Sequence, residues 1–147
     1  MPISIVKSVK FCAGHRIAHH EGKDANLHGH NYCIDLTVTT DKLNELGFVI
    51  DFSILKSRFK GWFDENWDHG FLLAEDDTVA IEALKKVNPT KIFLFPGVPT
   101  SENIALFVLN TLSPELLADT NARVTKVTVW ENAESFAEAS LDSEVLA

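Results

Sequence analysis

Polar and apolar residues alternate in two stretches of the chain with a period of two, the pattern of half-buried strands. In residues 3–15, Ile3, Ile5, Val9, Phe11 and Ala13 share one face, interrupted by Lys7, and His15 continues the series. In residues 28–39, His28, His30, Tyr32, Ile34, Leu36 and Val38 share one face, and Gly29, Asn31, Cys33, Asp35, Thr37 and Thr39 the other. Side chains two apart in a strand project to the same side. His15, His28 and His30 therefore lie on the apolar, inward side, and an antiparallel pairing of the two strands gathers them at one end of a sheet. Cys12 and Cys33 fall on the opposite face. The intervening residues 16–27 carry Gly22, Lys23, Asp24 and Asn26, which is loop chemistry.

Beyond the second strand the period changes. Residues 40–47 read as a turn. Asp51 can cap a helix whose stripe is Phe52, Leu55, Phe59, Trp62 and Phe63. Residues 66–73 break this pattern and bring Asp68 and His69 together. A short helix is predicted over 77–87, and 91–95 is either a short strand or an apolar segment ending at Pro96. Thr100 or Ser101 can cap a further helix with Ile104, Ala105, Val108, Leu109 and Leu112 buried. Residues 123–131 form a strand with Thr125, Val127, Val129 and Glu131 on one face, and 135–140 pair back onto it. The acidic tail is expected to fray. Two strands, then helices, then two strands predict an α+β domain with an antiparallel sheet, spanning 1–147 as one unit.

Composition narrows the function. The formal net charge of -8 argues against nucleic-acid binding, which needs a basic surface. No apolar run approaches the ~18 residues of a membrane span. The N-terminal segment has no apolar signal core, so the expected location is the cytoplasm. Two cysteines without a C-x-x-C spacing predict no structural disulfide.

Candidate chemistry concentrates in residues 11–36, which hold five of the six histidines. His28-Gly29-His30 can supply two imidazoles to a tetrahedral zinc, with His15 as a third ligand and one position left open. The competing reading is a histidine-rich loop without metal. Arg16 and Lys23 flank the cluster and offer local positive charge for a phosphorylated ligand, or are solvated. Glu131 closes an apolar series, and a carboxylate there either reaches solvent or binds something. Asp68-His69 on its own reads as a surface turn pair.

Six blocks, in order, carry a resemblance. These are Phe11-Cys12-Ala13-Gly14-His15-Arg16, Leu27-His28-Gly29-His30-Asn31-Tyr32, Gly47-Phe48-Val49-Ile50-Asp51-Phe52, Trp67-Asp68-His69, Pro99-Thr100-Ser101-Glu102-Asn103 and Val129-Trp130-Glu131. The chain resembles the 6-pyruvoyl tetrahydropterin synthase family, which includes the 6-carboxytetrahydropterin synthase of queuosine biosynthesis. The resemblance implies the tunnelling fold, a four-stranded antiparallel sheet with helices packed on one side. It implies a homo-hexamer built as a dimer of trimers, with active sites between subunits. It further implies Zn2+ on His15, His28 and His30, and Thr100 and Glu131 holding the pterin. Asp68 and His69 would be a catalytic proton shuttle, and a pterin triphosphate, 7,8-dihydroneopterin triphosphate, the substrate of a lyase.

One position departs from the pattern. Most members of the family place a catalytic cysteine four residues before the first histidine of His-x-His, and this chain has Asp24. Asp24 is then the base, a fourth zinc ligand, or a turn residue that leaves His19 or His20 as base. Members with glutamate there cleave the side chain to 6-hydroxymethyl-dihydropterin in folate synthesis. Leu73, where the family often has asparagine, adds to the departure, and a non-catalytic pterin-binding homologue is the further alternative.

Overall fold

The computed structural model describes residues 3–141, and the acidic tail expected to fray, 142–147, lies outside the described residues. The two alternating stretches form strands β1 (Ser4–His15) and β2 (His28–Thr40). They pair antiparallel without a bulge, from Ser4 opposite Thr39 to His15 opposite His28. Their apolar series, from Val9 to Ala13 and from Tyr32 to Val38, is buried. Strand β5 (Ala122–Asn132) pairs antiparallel with β2, and β6 (Ser135–Ser140) pairs with β5.

The sheet is larger than the four antiparallel strands expected. It has six strands, because β3 (Gly70–Ala74) and β4 (Ile92–Phe95) add in parallel to the free edge of β1. The sequence hides β3 for a physical reason. Parallel strands covered on both faces need no alternation, and Phe71-Leu72-Leu73-Ala74 is an unbroken apolar run. Leu72 joins the main core with Phe95, while Leu73 packs with Ala80 and Ile81 in a second cluster. Those two residues belong to helix α2 (Thr78–Lys85). Since Leu72 and Leu73 point to opposite faces, α2 covers the face of the sheet away from the main core. The helices are therefore not all on one side.

Helix α1 occupies 52–66 as an α-turn (Phe52–Leu55), a π-turn (Lys56–Lys60) and an α-segment (Gly61–Asn66). Asp51 caps it, accepting from the Ser53 N–H at 2.8 Å. Leu55, Phe59 and Phe63 are fully buried, but Phe52 is 50% exposed. As the first helical residue it lies before the stripe turns inward. Helix α3 occupies 101–116 with the same α, π, α succession (Ser101–Phe107, Val108–Leu112, Ser113–Leu116). Thr100 caps it by accepting from the Asn103 N–H at 3.1 Å. All five residues of its predicted stripe are buried. The two helices and β1–β2 enclose an aromatic cluster in which Phe11, Phe63 and Trp67 lie 5.0–5.5 Å apart between ring centroids.

Strand β5 carries two bulges. Thr37 pairs with Lys126 and Val38 with Val124, so Thr125 is the extra residue. The bulge places Val124 in the core beside Val127 and Val129, where the simple alternation had put Thr125. Trp130 pairs with Phe136 and Asn132 with Ser135, so Glu131 is the second extra residue. A bulge bends the strand and re-aims the side chain it displaces.

The end of β1 is latched to α2. The Arg16 Nε and one terminal nitrogen donate to the two carboxylate oxygens of Asp77 at 2.7 and 2.6 Å. Asp77 also accepts from the Ala80 N–H at the start of α2. Its side chain is only 5% exposed. Replacing Arg16 leaves that carboxylate buried without a cation, so Arg16→Ala is expected to cost about 2 kcal/mol, discounted for the partial exposure of the guanidinium. Urea unfolding of the two proteins measures it, and a change within a few tenths of a kcal/mol would show the latch to be idle.

Candidate metal centre and catalytic pair

Register brings the three histidines together. His15 stands opposite His28, and Ala13 opposite His30, at the end of the β1–β2 ladder. One ring nitrogen from each of the three lies within 4.8 Å of those of the others. His15 is buried, while His28 and His30 are partly exposed, so the cluster has one closed and one open side. Tyr32, fully buried, forms its floor, 5.5 Å from His30 and stacked on Phe11 at 5.2 Å between centroids. Burial pushes the Tyr32 phenol well above its ordinary range, with the Glu131 carboxylate acting in the same direction. It is therefore a neutral floor rather than a base.

The hydrogen bonds around the rings decide what they can bind. His15 Nδ1–H donates to the Pro99 carbonyl at 2.7 Å. His28 Nδ1–H donates to the Asn26 carbonyl at 2.8 Å. A carbonyl only accepts, so each ring carries a proton on Nδ1, and as neutral tautomers the two rings turn Nε2 lone pairs toward each other. Those two Nε2 atoms are 3.1 Å apart. Two lone pairs at that distance repel unless a metal ion or a shared proton lies between them. The separation is near the edge of a tetrahedron with zinc–nitrogen bonds of about 2.0–2.1 Å. Carbonyl partners on the far nitrogens are how metal-binding histidines are usually oriented. The donor set thus fits a zinc ion. Burial holds His15 below the ordinary imidazole range, with the neighbouring rings of His28 and His30 adding to this and the Pro99 bond opposing it.

Three other candidate residues border this cluster. Asp24 lies on a short 3-10 turn (Lys23–Ala25) held by the Ile17 N–H donating to the Asp24 carbonyl at 2.8 Å. Its carboxylate, 58% exposed, is 4.0 Å from His28 Nε2. Glu131, next after Val127 and Val129 on the inward face of β5, brings a carboxylate oxygen to 3.9 Å from His30 Nε2. Thr100 adjoins the Pro99 carbonyl that orients His15, with its hydroxyl used as the cap of α3. Arg16 follows His15 but spends two donors on Asp77. His19 and His20 are exposed, and His20 Nδ1 accepts from the Gly22 N–H within its own loop.

Asp68 and His69 form a second constellation. His69 Nδ1 donates to an Asp68 carboxylate oxygen at 2.8 Å. The other Asp68 oxygen accepts from the Cys12 N–H at 2.9 Å. Burial alone would raise the Asp68 carboxyl, but the bonds from Cys12 and His69 outweigh it and hold the group below the usual range. His69 contacts the Cys12 side chain, and Cys12 points to the face of β1 opposite to His15. The pair and the histidine triad therefore face opposite sides of the same strand. Neither cysteine forms a disulfide. Two clefts border these groups, one of about 950 Å³ reaching from Lys10 and Cys12 to Trp130 and Glu131, and one of about 510 Å³ between His28 and His69. Cys12 and His30 line both.

The comparisons with known proteins agree with this geometry. The profile of the 6-pyruvoyl tetrahydropterin synthase family matches residues 4–142. The chain belongs to that family. It is 37% identical to the 6-carboxy-5,6,7,8-tetrahydropterin synthase of Rickettsia typhi over 92% of this chain and 99% of the relative. It is 33% identical to the enzyme of the same name from Aquifex aeolicus, over 94% and 98%. Among solved structures, the Plasmodium vivax 6-pyruvoyltetrahydropterin synthase superposes with a TM-score of 0.71 at 25% identity, over 97% of this chain and 99% of that one. An uncharacterized protein from Wolinella succinogenes superposes with a TM-score of 0.80 at 22% identity, over 97% and 99%, and shares the fold. As a member of this family the chain is a lyase-type enzyme.

The sequence reading did not find the Pro99 and Asn26 carbonyls that orient the rings, because main-chain acceptors leave no residue signature. Tyr32 was legible, two residues along the strand from His30.

The His15 environment makes a signed prediction. The folded chain keeps His15 neutral below its ordinary range, so as pH falls through about 6.5 the unfolded chain takes up that proton first. Stability of the metal-free protein is level above that pH and is lost as pH drops toward 5. Melting curves between pH 7.5 and 5 are expected to show a smaller loss for His15→Gln than for the wild type. Equal losses would remove His15 as the source.

Proposed function

We propose that this chain is a zinc-dependent 6-carboxytetrahydropterin synthase acting on 7,8-dihydroneopterin triphosphate. The observation that carries the zinc assignment is the pair of unprotonated Nε2 atoms of His15 and His28 converging at 3.1 Å, with His30 beside them. The names of the relatives at 33–37% identity favour the carboxy product. The family identity supports a pterin substrate.

His15, His28 and His30 would hold the metal, with the exposed side of the cluster left for the substrate. A zinc ion there would supply Lewis-acid polarisation of the substrate's side-chain oxygens. Glu131 and Thr100 bind the pterin, the carboxylate accepting from ring N–H groups. Tyr32 and the aromatic cluster beneath it keep the closed side dry. Asp24 stands at the metal edge as a carboxylate base, positioned to take a proton from the side chain. Asp68 orients the His69 imidazole and stabilises its charged form, which makes the pair a proton donor and acceptor. Arg16 contributes mainly by fixing the end of β1, and its remaining N–H groups are available to a phosphate.

The family identity supports an active site shared between copies of the chain. In this reading a pterin bound to the triad of one chain meets the pair of the next, in a homo-hexamer made of two trimers. The strands β4 and β6 at the two ends of the sheet have no further strand partner among the described residues, which supports edge-to-edge joining.

A second reading rests on Asp24. In the Plasmodium vivax enzyme the catalytic residue replaced in one solved mutant is a glutamate. A carboxylate base at that position fits side-chain cleavage to 6-hydroxymethyl-dihydropterin.

Incubating the zinc-loaded protein with 7,8-dihydroneopterin triphosphate and separating the pterins decides between the products. 6-Carboxytetrahydropterin is expected, and 6-hydroxymethyl-dihydropterin alone would establish the second reading. No new pterin would overturn both. His28→Ala is expected to lose bound zinc and at least about 100-fold in turnover, read by metal analysis and the same assay. Light scattering is expected to give six chains per particle.

A further inference from the structure

We propose that Asn103 and Asn26 are positioning residues of the metal centre, each side-chain amide fixing the loop whose main-chain carbonyl orients a ligand imidazole. For the metal this rests on the zinc reading, and the ring orientations can be tested without it.

The Pro99 and Asn26 carbonyls accept the Nδ1–H groups of His15 and His28. Both carbonyls lie outside helix and strand, so each is aimed only by what holds its own loop. The same device holds both. Before α3, the Val98 carbonyl accepts two N–H groups, one from the Thr100 main chain at 2.8 Å and one from Asn103 Nδ2 at 2.9 Å. Asn103 also gives its main-chain N–H to the Thr100 hydroxyl at 3.1 Å. Residues 98–100 are thereby pinned on both sides of Pro99. The pyrrolidine ring fixes φ of Pro99, the three-residue turn from Val98 to Thr100 fixes its ψ, and its carbonyl is left pointing at His15. Before β2, the Lys23 carbonyl likewise accepts two N–H groups, from the Asn26 main chain and from Asn26 Nδ2, both at 2.9 Å. The Asn26 carbonyl is then left for His28.

The residue type follows from the task. A carbonyl only accepts, so the side chain that holds it must donate. At the third helical position behind a threonine cap, Glu or Gln ordinarily reaches back to the N–H of the cap residue. Here that N–H is already given to Val98, and Asn103 turns a second donor to the same carbonyl. An aspartate has the same shape and no donor, and it would set a carboxylate oxygen against the Val98 carbonyl oxygen. For the helix alone, however, negative charge in the first turn is favourable. The two roles therefore predict opposite outcomes for one substitution. A residue that only stabilises the helix start tolerates Asn103→Asp, and a positioning residue does not. Pro99 is buried and Asn26 is exposed. Water competes for the bonds of the exposed loop, so Asn103 has the larger effect.

Two measurements on the full chain test this. In the first, Zn2+ is titrated against a chromophoric chelator into the wild type, Asn103→Asp and Asn26→Asp. Affinity is expected to fall about tenfold or more in Asn103→Asp, the scale of losing an outer partner of a metal-bound histidine, and by less in Asn26→Asp. The melting temperature of metal-free Asn103→Asp is expected to match the wild type or exceed it. Wild-type affinity in either variant would remove that residue from the role. The second is long-range proton–nitrogen NMR of the metal-free proteins in mildly alkaline buffer, which reads the nitrogen that bears each ring proton. His15 and His28 are expected as Nδ1–H tautomers in the wild type. Asn103→Asp is expected to give a tautomer mixture at His15 with His28 unchanged, and Asn26→Asp the reverse, a selectivity that general loosening of the fold would not produce. His15 still held as the Nδ1–H tautomer in Asn103→Asp would overturn the proposal. A wild type that binds no zinc would sink the zinc reading alone, and the tautomers would still decide the positioning.

Discussion

The pairing of His15 with His28 across the end of the β1–β2 ladder is the contact on which the histidine cluster depends. The ladder runs from Ser4 to His15 without a register shift. Val9, Phe11 and Ala13 of β1 and Tyr32, Ile34, Leu36 and Val38 of β2 are buried, so sliding a strand by a single residue would turn its buried set outward. The apolar core therefore locks the register, and the register holds the two Nε2 lone pairs together. The energy that assembles an electrostatically unfavourable group of imidazoles comes from hydrophobic burial several residues away.

That core is mainly aromatic near the site. Phe11, Tyr32, Phe63 and Trp67 form a continuous stack beneath the histidines, joined by Trp62, Phe93 and Phe107. Rings of this size bury large areas and favour tilted or offset contacts with one another. The stack also connects the two constellations. Trp67 is the fully buried residue immediately before Asp68, so the packing that supports the histidines also anchors the turn that presents Asp68 and His69. Latches complete the frame, with Arg16 on Asp77 at one end and the cap of α3 beside the Pro99 carbonyl.

Alternation divides the candidate chemistry between the two faces of one strand. The inward face of β1 ends in His15, and its outward face carries the Cys12 thiol beside the His69 imidazole. Glu131 belongs to this logic as well. It continues the inward series of Val127 and Val129 at the strand end, which brings its carboxylate toward His30.

The sequence alone was sufficient for the face assignments of β1 and β2, the inward histidines, the stripe of α3 and the final hairpin strand. Each rests on a local period that neighbouring residues repeat. It also displayed the order of motifs that marks the family. Tertiary structure decided what has no local period. The strands β3 and β4 are apolar on both faces because α2 covers one of them, and their parallel pairing joins residues far apart in the chain. The bulges at Thr125 and Glu131 appear only where β5 meets its neighbours β2 and β6. The ring orientations come from the Pro99 and Asn26 carbonyls, and Cys12 meets His69 only because β3 docks on β1. Those contacts join segments distant in sequence, and a pattern read along the chain carries no record of them.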